Sequence, residues 1–587
     1  MAGLLAAIWL LGLLAAAPAL RTNARYEFPD RLRDALILGV AIPFVLGFVH
    51  ALYPAACWIA LLLCIAVAYA RSEPPGKRVT RIPYVLVFAL AAVTWPQLMR
   101  PLLDGDSLSY HLPNAAAWTQ THSLWTTATR YWWYPPASEL FASALYATSG
   151  PFALPWSGFG ALALLGFRIY AWSRDLKAPP IVADALAAAT ITVYPLATQA
   201  GTLQNDVWLA AFWLESLWQL RASPAGSTAM RTLAVTALIK PQGWLLAVVA
   251  LLAYRARWGL WLAAAAPFGI WVLHDALLWN RAIVAPASTM YASDFGSTIL
   301  AHGIPAIALL ARVAIAASPF ALLAILAALA GPAIARRDRR LGWAACAAAL
   351  LLLVVPFGYA TSVAQLATGA SLRFAAPAIA AGAVILARPA RRIELIATVL
   401  LAASIVFGLW QIVATFWNDA PTRTVLAIAP VALTIVWLAL RYRARWAIAL
   451  GFAAAAAAAD VVAGLHAMDF VTDAFRVANR PSGFYAWLAA KRPAAIGGVG
   501  LAIGTVNLLA PATRTAELPE ADACAAARRQ AVALAAVAEN DRSAAFNAAR
   551  LQSARACGPV QYDDGIAVVA SPYSVSGGMP VEGRARK

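Results

Sequence analysis

The chain has 587 residues, 62% of them hydrophobic and 12% charged, with a formal net charge of +18. An ordinary soluble domain carries roughly 25% charged residues, so this composition excludes a secreted, fibrous or disordered chain and indicates a polytopic membrane protein. The positive charge reports topology rather than a nucleic-acid partner. Of the 32 Lys and Arg residues before position 466, 25 fall in eight short clusters between apolar stretches, the distribution that the positive-inside rule produces.

The apolar runs predict spans near 2–20, 35–51, 54–70, 82–99, 155–172, 180–198 and 206–220, then 259–279, 305–330, 341–358, 374–388, 393–417, 425–441 and 446–465. Each is close to the ~20 residues needed to cross, or short enough to require local thinning. The first has no basic segment before it and is read as a retained helix rather than a cleaved signal peptide. Residues 138–150 are too short to span and are placed as an interfacial helix in the first outer loop, 100–154. The stretch 232–253 is interrupted by Lys240-Pro241-Gln242-Gly243. Irregular backbone at membrane depth is tolerated where it is buried in protein or lines a cavity, so this stretch is a re-entrant or broken helix pair.

The expected fold is therefore an all-α polytopic membrane bundle of about 14 spans, with a broken pair and interfacial helices in the first outer loop. A small C-terminal α/β extracytoplasmic domain follows. Three segments result: helices in 1–81, the main bundle in 82–465 and a soluble unit in 466–587. Both termini then lie outside. The same face collects the loop 100–154, the short loop before Asp206, the loop ending at Arg373 and everything after about residue 466.

The first outer loop begins Pro101-Leu102-Leu103-Asp104-Gly105-Asp106-Ser107-Leu108-Ser109-Tyr110-His111 and runs through Tyr131-Trp132-Trp133-Tyr134-Pro135-Pro136 to Glu139. Two carboxylates at the exit of a membrane helix can supply a general base or hold a divalent cation with a phosphate. Equally, Asp104 can cap a helix. His111 is a metal ligand with Asp104 and Asp106, or a hydrogen-bond partner. The aromatic residues form an interfacial belt or a sugar-stacking platform. Three further stretches read with the first: Gly201-Thr202-Leu203-Gln204-Asn205-Asp206, Ala237-Leu238-Ile239-Lys240-Pro241-Gln242-Gly243, and Ser371-Leu372-Arg373-Phe374-Ala375-Ala376-Pro377.

In this order and spacing the four stretches resemble the dolichyl-phosphate-mannose type of protein mannosyltransferases and their bacterial relatives, including the lipid A aminoarabinose transferases. These are C-type glycosyltransferases that use polyprenyl-phosphate sugars. The resemblance covers roughly residues 82–390. It implies that Asp106 is the catalytic aspartate, with Asp104 an extra acid. It also implies that Asp206 is the second acidic position, that Lys240 is the Lys-bearing element, and that Tyr134-Pro135-Pro136 and Arg373-Phe374 with Pro377 are the remaining elements. Three spans precede the family's usual first helix, and its adjacent acidic pair is here Asp106-Ser107, which leaves the second acid's role to Asp104, to Glu139 or to no residue. The implied activity is transfer of a sugar from a polyprenyl-phosphate donor to an acceptor on the outer face of the inner membrane. The acceptor is left open among protein, lipid and glycan. A divalent cation is one option, and no nucleotide cofactor is expected. A transporter or flippase of lipid-linked saccharides is the alternative, and it would concentrate its charges at the bilayer midplane.

The chemistry suits the residues. The acceptor hydroxyl needs a base and the departing phosphate needs positive charge. Asp106 is the candidate base. Arg373 can bind phosphate bidentately, with Lys240 adding charge and Tyr110, His111, Tyr134, Glu139 and Asp206 lining the substrate. The bland alternatives are that Arg373 snorkels at a helix end and that Lys240 pairs inside the bundle. Asp184, Glu215, His274-Asp275 and Asp460 would be expensive facing lipid and are expected to face the bundle.

In the tail, Ala494–Leu509 reads as a loop and buried strand whose glycines do not match a dinucleotide fingerprint. Glu520–Glu539 and Ser543–Ala556 read as helices, and Val560–Tyr562 with Ile566–Ala570 as a hairpin. Cys57, Cys64 and Cys346 sit in apolar spans as small hydrophobes. Cys524 and Cys557, the two in the tail, are expected to form a disulfide, as suits an extracytoplasmic unit.

Overall fold

The computed structural model describes residues 2–21, 27–71, 83–98, 102, 104–223, 226–281, 298–335, 338–354, 372–387, 394–417, 483–501, 503–539 and 542–572. The predicted spans 425–441 and 446–465, Asp460 and the boundary near residue 466 lie outside the described residues.

Helices α1 (Ala2–Ala16), α2 (Phe28–Phe48) and α3 (Pro54–Ala70) pack on one another. A capping box of Glu27 and Asp30 starts α2, and Pro54 starts α3 at a position where its missing N–H costs nothing. Helix α4 (Tyr84–Leu98) leads into the first loop, which holds a π turn (Ser107–His111), α5 (Leu112–Thr121) and α6 (Ala137–Ser149). Contrary to the interfacial placement, α6 is buried along nearly its whole length against α1, α2, α3 and α5. Its small and apolar residues on every side are what an enclosed helix requires.

Helices α7 (Pro155–Asp175), α8 (Pro180–Ile191) and α9 (Tyr194–Ala197) follow, and a 3₁₀ turn (Thr198–Gly201) ends this stretch. The predicted single span at 180–198 is in fact broken, with its two parts 72° apart. Pro195 removes a helical donor and interrupts the ladder there. Next come α10 (Asp206–Ala222), α11 (Ser227–Ile239), α12 (Pro241–Ala253) and α13 (Trp258–Leu278). The predicted interruption at Lys240 is present: that residue is fully extended (φ −168°, ψ 168°) between α11 and α12. Helix α12 folds back on α11, with Gly243 against the Thr236 carbonyl where a Cβ would not fit.

Helices α14 (Gly303–Ala317) and α15 (Pro319–Leu329) divide the stretch expected as one span at 305–330. Ser318 is extended (φ −175°, ψ 128°) before Pro319, because proline disfavours a helical residue ahead of it. Then come α16 (Gly331–Ile334), α17 (Arg339–Val354), α18 (Ala376–Leu386) and α19 (Glu394–Trp417). Among the described residues, three helices are long and apolar enough to cross a membrane alone, or four if the bent pair counts as one span. Shorter apolar helices of 10–17 residues make up much of the rest of the described bundle, where the sequence predicts longer spans.

Among the described residues, Asp184, Glu215 and His274 turn inward as expected. Asp184 of α8 accepts from the backbone N–H groups of Val85 (3.1 Å) and Leu86 (2.8 Å), capping α4 from another helix. Glu215 pairs with Arg168 (2.6 Å), which also reaches Asp30 (2.7 Å), while Arg33 binds Asp30 and Asp34 at 2.9 Å each. Arg33 and Arg168 are thus buried ion-pair members rather than loop charges, because a buried charge survives only when paired. His274 is satisfied structurally, by Asp275 (3.0 Å) and the Leu124 carbonyl (3.1 Å).

The C-terminal unit comprises α20 (Phe484–Lys491), β1 (Ala495–Val499), α21 (Ile503–Leu509), β2 (Arg514–Glu517), α22 (Ala523–Gln530), β3 (Ala533–Val537), α23 (Ala544–Arg555), β4 (Val560–Asp563) and β5 (Ala567–Ala570). The sheet order is β2-β1-β3-β5-β4, with β2, β1 and β3 parallel and β5 antiparallel to both its neighbours. Two expectations change here. A short helix, α21, follows the glycine-rich end of β1, and 520–539 contains a helix and a strand instead of one helix. Ala533–Val537 is rich in alanine and reads as helical, but as a central strand it is buried throughout. The hairpin is as expected.

Cys524 and Cys557 are disulfide-bonded, with Cα atoms 5.5 Å apart. Mass spectrometry of the non-reduced protein is expected to recover a linked Cys524–Cys557 peptide pair, and two free thiols would contradict an outward-facing unit.

Candidate active site

The site is assembled from four connections that the helices bring together. After α4, Asp104 Oδ1 accepts from the Ser107 N–H (2.9 Å) and from Gln204 Nε2 (3.4 Å), so Asp104 caps the π turn. Burial pushes its carboxyl above the usual carboxylate range, against the lowering effect of the Ser107 bonds, and the like charge of Asp106 acts in the same direction as burial. Ser107 Oγ accepts from the Leu203 N–H (2.9 Å), tying the first loop to the second.

Asp106 starts the turn, and its Oδ2 lies 2.6 Å from Arg373 Nη1. The Asp106 side chain is 34% exposed and that of Arg373 13%, so this ion pair can be reached from outside while its partners cannot. Arg373 Nε lies 3.5 Å from Asp206 Oδ2 and has no hydrogen bond among the described residues. Asp206, in the first turn of α10, is buried and also accepts from Lys240 Nζ and from Gln199 Nε2 (3.4 Å). The extended backbone at Lys240 directs its side chain to this carboxylate. The Phe374 ring is shared by both cations, with Lys240 Nζ 4.6 Å and the Arg373 guanidinium carbon 5.2 Å from its centre.

Asp106, Asp206, Lys240 and Arg373, drawn from separate stretches of sequence, therefore form one cluster of two carboxylates and two cations. His111 and Glu139 do not join it. They pair with each other at 2.5 Å, and Glu139 Oε2 accepts from Ser138 Oγ (2.8 Å). Tyr110 lies beside His111 (ring centroids 4.0 Å apart), Tyr131 (4.8 Å) and Tyr134 (6.0 Å), forming an aromatic wall on this loop.

The expected metal set is divided. Asp104 caps Ser107, Asp106 faces Arg373 and His111 faces Glu139. Among the described residues no group of three or more His, Cys, Asp or Glu side chains gathers as a metal site. A dication placed between Asp106 and Asp206 would lie against Arg373 and Lys240, so the residues present do not fit one.

The sequence pattern does not single out Gln199, Gln204 or Ser107, which join the loops. Gln199 Oε1 also accepts from the Val207 N–H (3.1 Å), so one amide fixes both the start of α10 and its aspartate. The available signal is weak: an amide in an apolar stretch has to find a partner.

No protein-family model matches the chain, and no curated protein matches it. Among solved structures it is similar to the crystal structure of ArnT from Cupriavidus metallidurans in the apo state. The identity is 17%, the match covers 84% of this chain and 98% of that chain, and the TM-score is 0.44.

Proposed function

We propose that the chain is an integral-membrane glycosyltransferase that moves a sugar from a polyprenyl-phosphate donor to an acceptor on the outer face of the inner membrane. The observation that carries this reading is the bridge made by Arg373 between Asp106 and Asp206, with Lys240 on the second carboxylate. A phosphodiester arriving from the bilayer competes with Asp106 for the guanidinium fork, which binds phosphate bidentately. Release from Arg373 turns the Asp106 carboxylate into a base for the acceptor hydroxyl.

The acceptor oxygen then bonds to the anomeric carbon as the bond from that carbon to the phosphate oxygen breaks. The electron pair leaves with the phosphate, whose charge Arg373 and Lys240 stabilise, and the acceptor proton goes to Asp106. Attack opposite the leaving group inverts the anomeric centre. Asp206 holds the two cations together. The disulfide suits an oxidising compartment for the C-terminal unit. Purified protein incubated with polyprenyl-phosphate sugars and protein, lipid or glycan acceptors is expected to release polyprenyl phosphate only when an acceptor is present. Movement of intact lipid-linked saccharide between leaflets without release would instead identify a flippase.

A further inference from the structure

The C-terminal unit grips the loop that carries Asp106 at four places. Gly504 of α21 lies against the backbone of Leu108, where an added Cβ would sit 2.8 Å from the Leu108 Cα and 2.9 Å from its carbonyl carbon. Leu108 belongs to the π turn that Asp106 starts, and a π turn is a rare geometry that needs support from its surroundings. Gln120, near the end of α5, donates to the Thr513 carbonyl (2.9 Å) and accepts from the Thr515 N–H (3.3 Å). Tyr146 of α6 donates to the Pro511 carbonyl (3.0 Å). Finally, β2 is an edge strand, and its exposed edge is used: the Glu517 N–H donates to the Ala128 carbonyl (2.9 Å) while the Glu517 carboxylate accepts from the Arg130 N–H.

We propose that the C-terminal unit is a positioning element of the active site, in which Gly504 and Glu517 hold the Ser107–His111 turn and the 128–130 segment so that Asp106 meets Arg373. Its catalytic consequence rests on the transferase reading, whereas the bracing itself does not. The four contacts span residues 108–146, the same segment that presents Tyr110, His111, Tyr131, Tyr134 and Glu139. A unit serving only some remote partner has no need of backbone-to-backbone contact with the turn beside the base.

Glu517 also makes the brace sensitive to pH. Burial against the loop pushes its carboxyl up to about 7 from the ordinary 4.5, opposed by the Arg130 N–H and the Arg130 charge. The charged and titratable groups that face it are Arg130 and Tyr131. The docked form therefore holds its proton to higher pH than the undocked form. Docking is firmest below about pH 4.5 and weakens as pH rises through about 7. Glu517→Gln removes this titration and keeps the neutral form.

Hydrogen exchange on the full-length protein in lipid nanodiscs tests the proposal, using peptides over 107–111, 126–131 and, as a fold control, the strands 495–499 and 533–537. In Gly504→Val, exchange over 107–111 is expected to rise about 10-fold or more while the strands keep wild-type protection. Turnover is expected to fall about 10-fold or more, with donor KM within about 3-fold. Between about pH 5 and about pH 8, intrinsic-rate-corrected exchange over 126–131 is expected to rise in wild type and stay level in Glu517→Gln. Wild-type protection over 107–111 in a folded Gly504→Val protein, or the wild-type pH response in Glu517→Gln, would overturn the proposal. Should Gly504→Val lose its strand protection, the Glu517→Gln comparison decides alone. If wild type transfers no sugar, the transferase reading fails while the exchange results still decide the bracing.

Discussion

Arg373→Ala is expected to lower kcat/KM for the lipid-linked donor by about 10²–10³-fold, the usual cost of losing one preorganised donor to developing charge. Arg373 is the cation that faces both the exposed carboxylate Asp106 and the buried carboxylate Asp206. Its removal takes away the phosphate fork and also leaves Asp106 without its counter-charge. Arg373→Lys separates the two effects. Lysine keeps the charge but not the planar bidentate geometry, so it is expected to restore stability while recovering only part of the rate. An arginine that only snorkels would behave differently, with the lysine variant close to wild type in both respects. Initial rates of polyprenyl phosphate release against donor concentration distinguish these outcomes.

Asp106→Asn is expected to lower kcat by about 10²–10⁴-fold with little change in donor KM, because it removes the proton acceptor and keeps the shape. The neighbouring acid provides the control. Asp104 caps the Ser107 N–H, and asparagine caps a turn nearly as well as aspartate, so Asp104→Asn is expected to stay within a few-fold of wild type. Asp104→Ala removes the cap and is expected to cost about 1 kcal/mol of stability, read as a lower unfolding midpoint. If Asp104→Asn proves the slower variant, the two carboxylates have their roles exchanged.

The features legible in the sequence were those where a strong local signal met a strong environmental constraint. Lys240-Pro241-Gln242-Gly243 combines a helix breaker, a glycine and a charge in an apolar run, and the chain does break there, with Lys240 turned to Asp206. Asp106, Asp206 and Arg373 each sit at an end of an apolar stretch, and the basic clusters that alternate with those stretches predict all three ends on one face.

What the sequence hid was hidden for physical reasons. In a bundle, both lipid-facing and core-facing positions are apolar, so periodicity does not separate the buried α6 from an interfacial helix. Ser318-Pro319 lies in a run of good helix formers, and proline alone does not end a membrane helix. The alanine-rich β3 is a strand because its neighbours cover both its faces, which no local propensity records. His111 and Glu139 meet across 28 residues, and neither side chain announces the other.

The most direct measurement uses a donor whose sugar-to-phosphate bridging oxygen is ¹⁸O, with wild-type protein, an acceptor and mass analysis of both products. Displacement at the anomeric carbon, with Asp106 as base and Arg373 on the leaving phosphate, sends all the label into polyprenyl phosphate and joins the sugar to the acceptor with inverted configuration. Label found in the sugar product would mean that the phosphorus–oxygen bond is the one cleaved, and donor moved across the bilayer with its label and bond intact would mean that no transfer occurs.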